Sequence, residues 1–354
     1  MKTALTALLT ATALALPAAA PRPAPVPPPP VARTVSAWLP WWNTDVAYDD
    51  ALRHADQLHT VSPFWYTAAS GTDVRGETGA GEQRIIDGLH AKGIKVVPTV
   101  TEVPDAASMA ALMNDPVRRT AHVDVLMKTV ASRPYDGLDL DYERMTETED
   151  ASLREQVRIG YNALTSELCA RLHALAKQCV ITVMPRTGTT GHAYDYAHLG
   201  TVADRLRIMG YNLHDALDKP GPLSSVAWYE EFLTYATTTV PRAKLEVALP
   251  AYGWDWTVGS TARAKHVTSQ EAEVLRRRVG AEYVFDTTSG TPHFSYTDTD
   301  RKRHEVWYQD ANGSAAHLAV LARFGVTGTG LWALGFEDTK LWDTLALHGG
   351  GGAR

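Results

Sequence analysis

Asp136-Gly137-Leu138-Asp139-Leu140-Asp141-Tyr142-Glu143 carries four carboxyls in eight residues, the last three of them two apart. In an extended strand, residues two apart project from the same face and lie about 7 Å from one another. Asp139, Asp141 and Glu143 therefore share a face, and Leu138, Leu140 and Tyr142 take the other. Asp136 falls outside this parity. The intervening large apolar residues argue against a solvated charged loop and for a strand covered on both sides. Burying several like charges is strongly unfavourable unless some are protonated or hydrogen-bonded. That cost also lifts a carboxyl towards the range useful for general acid catalysis, so the run reads as a functional centre. A row of carboxylates can also hold Mg²⁺ or Ca²⁺. No further ligand-rich motif accompanies this one, and the 13 His show no zinc spacing, so neither a metal nor a cofactor is expected.

On either side of this run, short apolar stretches recur along the chain: Val35–Trp42, His59–Tyr66, Lys95–Thr101, Gly137–Tyr142, Val180–Pro185, Arg207–Tyr211, Leu245–Tyr252 and Gly328–Leu334. Each has the length of a strand. Helical patterns fall between several of them, over Asp87–Lys92, Ala107–Ala131, Leu153–Lys177 and Gln270–Gly280. Strands alternating with helices imply parallel pairing through crossovers, and eight such units over about 310 residues fit a (β/α)8 TIM barrel. The rival, an open doubly wound sheet, calls for a Gly-rich phosphate turn early in the chain, and none occurs. Tyr283–Phe285, His293–Thr297 and His304–Tyr308 break the rhythm. They predict a small antiparallel β insertion at about 282–311, between the seventh and eighth barrel strands.

The composition bounds the function. The 354 residues are 45% hydrophobic and 21% charged, enough for a sizeable core. The net charge is -6 and no basic cluster exceeds Arg301-Lys302-Arg303, which excludes a nucleic-acid partner. Ten Trp and fourteen Tyr against six Phe suit a groove that stacks sugar rings, although core filling uses the same residues. Residues 1–20 read as a signal peptide: Lys2, an apolar run from Ala4 to Leu16, and Ala18-Ala19-Ala20 as cleavage site. The protein is thus expected to be secreted, with no membrane span. Residues 21–33 form a Pro-rich linker, 34–346 the catalytic barrel and 347–354 a glycine-rich tail. In an exported chain, Cys169 and Cys179 can bridge a helix end to the next strand; two buried thiols are the alternative. Asn312-Gly313-Ser314 is a glycosylation sequon, relevant only where exported proteins are glycosylated.

Asp-x-x-Asp-x-Asp-x-Glu on a barrel strand resembles the signature of glycoside hydrolase family 18, the chitinases and their relatives, and every motif position is filled by Asp136, Asp139, Asp141 and Glu143. Ser62-Pro-Phe-Trp-Tyr66, Met209-Gly-Tyr211-Asn212, Leu249-Pro-Ala-Tyr-Gly253 and Gly330-Leu-Trp332-Ala-Leu resemble the family's second, sixth, seventh and eighth strands. His304 to Asp310 and Trp332 to Asp338 look most like the branch of bacterial spore-cortex and cell-wall N-acetylglucosaminidases and chitobiase-like enzymes. The resemblance implies a substrate-assisted retaining mechanism without a protein nucleophile. Glu143 would be the acid. Asp141 would orient the sugar's acetamido group, Asp139 would hold Asp141 and share a proton with it, and Tyr211 would donate to the acetamido oxygen. Trp332, Asn212, Met209, Met184, Tyr66 and Asp136 complete the expected substrate-side set, with Asp136 closer to structural support and Trp332 the sugar-site floor. Asn212 stands where many relatives carry Asp. The expected partner is an N-acetylglucosamine (GlcNAc) polysaccharide acted on by a monomer, with chitin ahead of peptidoglycan and the N-glycan core. A non-catalytic sugar-binding relative would lack the glutamate, which is present here.

Overall fold

A computed structural model describes residues 32–349. The signal segment, nearly all of the Pro-rich stretch and the last five residues lie outside the described residues. Eight parallel strands close into a barrel: Thr34–Pro40, Leu58–Ser70, Thr99–Glu102 (preceded by the short Lys95–Val96), Gly137–Leu140, Gln178–Val183, Arg205–Met209, Leu245–Pro250 and Gly328–Trp332. They are called here the first to eighth barrel strands. Each pairs with its neighbour in sequence, and the first also pairs with the eighth (Thr34 opposite Gly328), so no open edge remains in the ring.

Helix starts follow local chemistry. Asp105, Asp115, Asp150, Ser225 and Asp310 accept first-turn amides with their side chains, and Thr268 forms a capping box with Glu271. The single helix expected over Ala107–Ala131 is two, Ala106–Met113 and Pro116–Ala131. Asp115 caps the second and Pro116, lacking an N–H, opens it. The antiparallel sheet is larger than the 282–311 insertion. It also takes in Tyr252–Thr257 and Lys265–Thr268, so it begins directly after the seventh barrel strand.

The strands are apolar on the outside and polar within. Leu138, Leu140, Ile181, Val183, Leu206, Ile208, Leu245 and Val247 belong to the core shared with the helices. The alternating positions Ser36, Ser62, Thr99, Asp139, Thr182, Arg207 and Glu246 are equally buried, and they hydrogen-bond one another across the ring. Arg33 closes the barrel floor by donating to the carbonyls of Val326, Leu318 and His348 and to Thr329 Oγ1. Cys169, near the end of helix Ala151–His173, is bonded to Cys179 at the start of the fifth strand, with Cα atoms 5.2 Å apart. Among the described residues no helix is long and apolar enough to cross a membrane.

Candidate active site

The acidic run becomes a graded row in three dimensions, with Asp139 inside the fourth strand and Asp141 and Glu143 just past its end at Leu140, shorter than the Gly137–Tyr142 run expected. Asp139, the deepest, is fully buried. Its Oδ2 accepts from Trp38 Nε1 (3.0 Å), Thr99 Oγ1 (2.8 Å) and Arg207 Nη1 (2.9 Å), and its Oδ1 from Thr182 Oγ1 (2.7 Å). Burial pushes this carboxyl up, and Arg207 with the two threonine hydroxyls pulls it back. Four donors converging on two oxygens stabilise the carboxylate. Both oxygens of Asp139 accept from these donors, while Asp141, expected to be held by it, stands one step further out. Arg207 itself is almost fully buried. It also donates through Nε to Glu246 and through Nη2 to Ser36 Oγ, and its guanidinium lies 4.5 Å from the Trp38 ring centre.

Asp141 sits one step higher. It is 4% exposed, lines the cleft, and its Oδ1 has no hydrogen-bond partner. Burial, then the charges of Glu143, Asp139 and Glu102, raise it well above the usual carboxylate range. Glu143, at the mouth just past the strand's end, is less enclosed. Burial, with Glu147 nearby, pushes it up to about 7. A carboxyl that keeps its proton to neutral pH and loses it at little cost is suited to donating and reclaiming a proton. The backbone around Glu143 is held by Glu102 at the end of the third strand. Glu102 Oε2 accepts from Glu143 N (3.0 Å) and Oε1 from Met145 N (2.8 Å).

The cleft above these carboxyls measures about 590 Å³. Trp332 lies between Trp38 (5.4 Å between ring centres), Phe64 (5.0 Å) and the half-exposed Trp42 (6.2 Å). Met184, Met209, Tyr211 and Asn212 line the wall, joined by Tyr252, Trp254, His266 and Asp215. Burial, reinforced by Asp141, Tyr252 and Glu143, raises the Tyr211 phenol well above its usual value, so its hydroxyl remains a donor. Asn212 has φ +62°, a left-handed conformation that Asn adopts more readily than most residues. Its Oδ1 accepts from Tyr252 Oη (2.5 Å) and Trp254 Nε1 (3.3 Å), so the amide ties the sixth strand to the antiparallel sheet. Asparagine supplies that carbonyl acceptor without adding a further charge beside the acidic row.

Two expected residues lie elsewhere. Tyr66 shares a hydrogen bond with Tyr135 Oη (2.7 Å) and does not line the cleft; Phe64 does. The second and third strands shift register between Phe64 and Tyr66, and an extra residue there re-aims the side chains that follow. Asp136 pairs with His90 (2.9 Å) and accepts from Val96 N (2.7 Å) at the opposite end of its strand from the cleft, a structural carboxylate and not a sugar ligand. Sequence reading passed over Arg207, Glu246, Thr99, Thr182, Glu102 and Trp38's role beneath Asp139. A signal existed for some of them. Arg207 between Leu206 and Ile208, and Glu246 between Leu245 and Val247, are charges inside apolar strands, which demand partners.

A closed barrel, a carboxyl pushed up to about 7 at its C-terminal mouth and an aromatic-lined cleft fit an enzyme of the glycoside hydrolase class. Residues 82–337 match the model of glycosyl hydrolases family 18, and the chain belongs to that family. The cortical fragment-lytic enzyme of Bacillus subtilis is 26% identical over 243 residues, 66% of this chain but 54% of that protein, so the match spans about half of that relative. Di-N-acetylchitobiase of Rattus norvegicus is 21% identical over 71% of this chain and 74% of its own length. Among solved structures, a chitinase from Chromobacterium violaceum superimposes with a TM-score of 0.79 at 25% identity, covering 91% of this chain and all of that one.

Proposed function

We propose that this protein is an exported retaining β-N-acetylglucosaminidase that cleaves chitin or chitin-like GlcNAc polymers with the substrate's own acetamido group as nucleophile. The observation that carries the reading is the contrast between neighbouring carboxyls: Glu143, protonated to about pH 7, and Asp141, with a buried oxygen lacking a partner. Asp139 is enclosed and committed to four donors, so it is not free to attack a sugar carbon. Membership of family 18 implies that the substrate supplies the nucleophile, the documented exception to the two-carboxylate rule.

Glu143 gives its proton to the glycosidic oxygen as the C1–O bond breaks, and the acetamido carbonyl oxygen closes on C1. Asp141 accepts the acetamido N–H and stabilises the positive charge that develops on the ring so formed. Tyr211 donates to the acetamido oxygen, and Trp332 lies under the sugar. Glu143, now a carboxylate, takes a proton from water as that water opens the ring at C1. Two inversions restore the original configuration. The apolar segment Ala4–Leu16 with its small-residue cleavage site supports export, where such polymers are found.

Arg263 favours a second reading. Among the described residues lining the cleft it is the one Arg or Lys, set 6.0 Å from the Trp254 ring, and it would suit a carboxylate-bearing strand such as peptidoglycan. Wild type and Glu143→Gln should be assayed on chitin oligomers, purified peptidoglycan and high-mannose glycopeptide. Cleavage of GlcNAc oligomers by wild type alone is expected. Equal activity in the variant sinks the mechanism, and release from glycopeptide only sinks the polymer assignment.

A further inference from the structure

The geometry assigns Glu102 as the positioning residue that fixes the main chain of the proposed acid, a role that rests on reading Glu143 as that acid. Glu102 is 5% exposed and does not line the cleft, so its carboxyl does not touch the sugar. Both of its oxygens are used on the turn that carries Glu143: Oε2 accepts from Glu143 N and Oε1 from Met145 N. These amides begin the short Arg144–Thr146 turn, where helix-type geometry leaves N–H groups without an internal partner. Burial raises this carboxyl to about 8 and the two amides pull it back, so in its ionised form it holds both N–H groups through charge-assisted bonds, stronger than neutral ones and specific in direction.

The rest of the turn is held from its carbonyl side. Tyr194 Oη donates to the Tyr142 carbonyl (2.7 Å), and Thr146 donates through N (2.9 Å) and Oγ1 (2.7 Å) to the Glu143 carbonyl. Glu102 supplies the complementary grip on the donors. The fourth strand ends at Leu140, so the acid stands three residues beyond the ladder, and ladder bonds alone do not set its position. Glu102 is anchored in the third strand, whose register places Ala68 opposite it. The barrel wall is thereby linked to the acid's backbone through one side chain. A glutamine there keeps the shape, but its NH₂ end meets an amide N–H, donor against donor.

Misplacing a reacting group by about 1 Å can cost a hundredfold in rate while leaving binding little changed. Wild type, Glu102→Gln, Glu102→Leu and Glu143→Gln should be compared for kcat and KM on whichever GlcNAc substrate the wild type cleaves, and by amide hydrogen exchange of the segment from Asp141 to Glu147. For Glu102→Gln, kcat is expected to fall roughly tenfold to a hundredfold with KM within about twofold, and Glu102→Leu to fall further. Exchange should quicken at Glu143 and Met145 while the helices stay protected. If the leucine variant does not fold, the glutamine variant decides. A kcat within about twofold of wild type, a change confined to KM, or unaltered exchange at the two amides overturns the assignment. Exchange reads the turn directly, whatever the substrate. Activity surviving in Glu143→Gln, with exchange quickened in Glu102→Gln, would remove the acid reading and leave Glu102's hold on the turn intact.

Discussion

Replacing Arg207 by methionine tests the frame beneath the acidic row. Arg207 bridges two carboxylates from different strands, Asp139 on the fourth and Glu246 on the seventh, and donates to Ser62 and Ser36 besides. Methionine keeps an unbranched apolar stem against Trp38 but removes the charge and every donor. Asp139 and Glu246 then remain inside the barrel without a cation. Breaking a buried pair by removing one partner costs about 3–5 kcal/mol, a large share of the roughly 5–15 kcal/mol that holds a typical protein folded. The loss must also depend on pH. Burial raises Asp139 above its ordinary value and Arg207 opposes this, so without Arg207 the carboxyl rises further and folding takes up a proton. A carboxyl raised on folding contributes its full stability below its unfolded value and loses it as pH climbs through the folded value. The variant's folded value lies above that of wild type, so its deficit should be larger at a pH between the two folded values than at one below both, by about 1.4 kcal/mol per pH unit for each proton taken up. Urea unfolding followed by tryptophan fluorescence, run on both proteins at each pH, measures it. A deficit below about 1 kcal/mol at pH 7, or one that stays constant across the whole pH range in which both proteins fold, would refute the assignment of Arg207 as the counter-charge of Asp139.

Two further outcomes follow from the same geometry. Because Glu143 must carry its proton to act and is pushed up to about 7, kcat/KM should decline above neutrality, about tenfold per pH unit; a rate flat from pH 6 to 9 would contradict its role as acid. Replacing both Cys169 and Cys179 by serine opens a ten-residue loop and should cost roughly 2–3 kcal/mol on the chain-entropy account; an unchanged urea midpoint would show that the bridge adds nothing.

Much of the architecture was legible in the linear chain because it rests on local periodicity. A spacing of two places Asp139, Asp141 and Glu143 on one face, and the alternation of short apolar runs with amphipathic stretches calls for crossovers and hence a barrel. Trp332, Tyr211, Asn212, Met184 and Met209 line the cleft for a related reason: each lies at or just past the end of a barrel strand. The same reasoning failed at Tyr66, since a register shift depends on the neighbouring strand and leaves no mark in the strand's own pattern. It also missed the division at Pro116, although Asn114-Asp115-Pro116 carried the local signal.

Spacing along the chain was enough to turn three carboxyls towards one interior and to make that interior a closed parallel barrel. Tertiary structure decided what each carboxyl became. Trp38 and Arg207 reach Asp139 from 101 and 68 positions away, and Glu102 reaches the Glu143 amide from 41. No pattern along a strand encodes such meetings. They arise when the ring closes and brings the inward faces of different strands within hydrogen-bond distance, where low dielectric makes each pairing or its absence costly enough to set which carboxyl holds a charge and which keeps its proton.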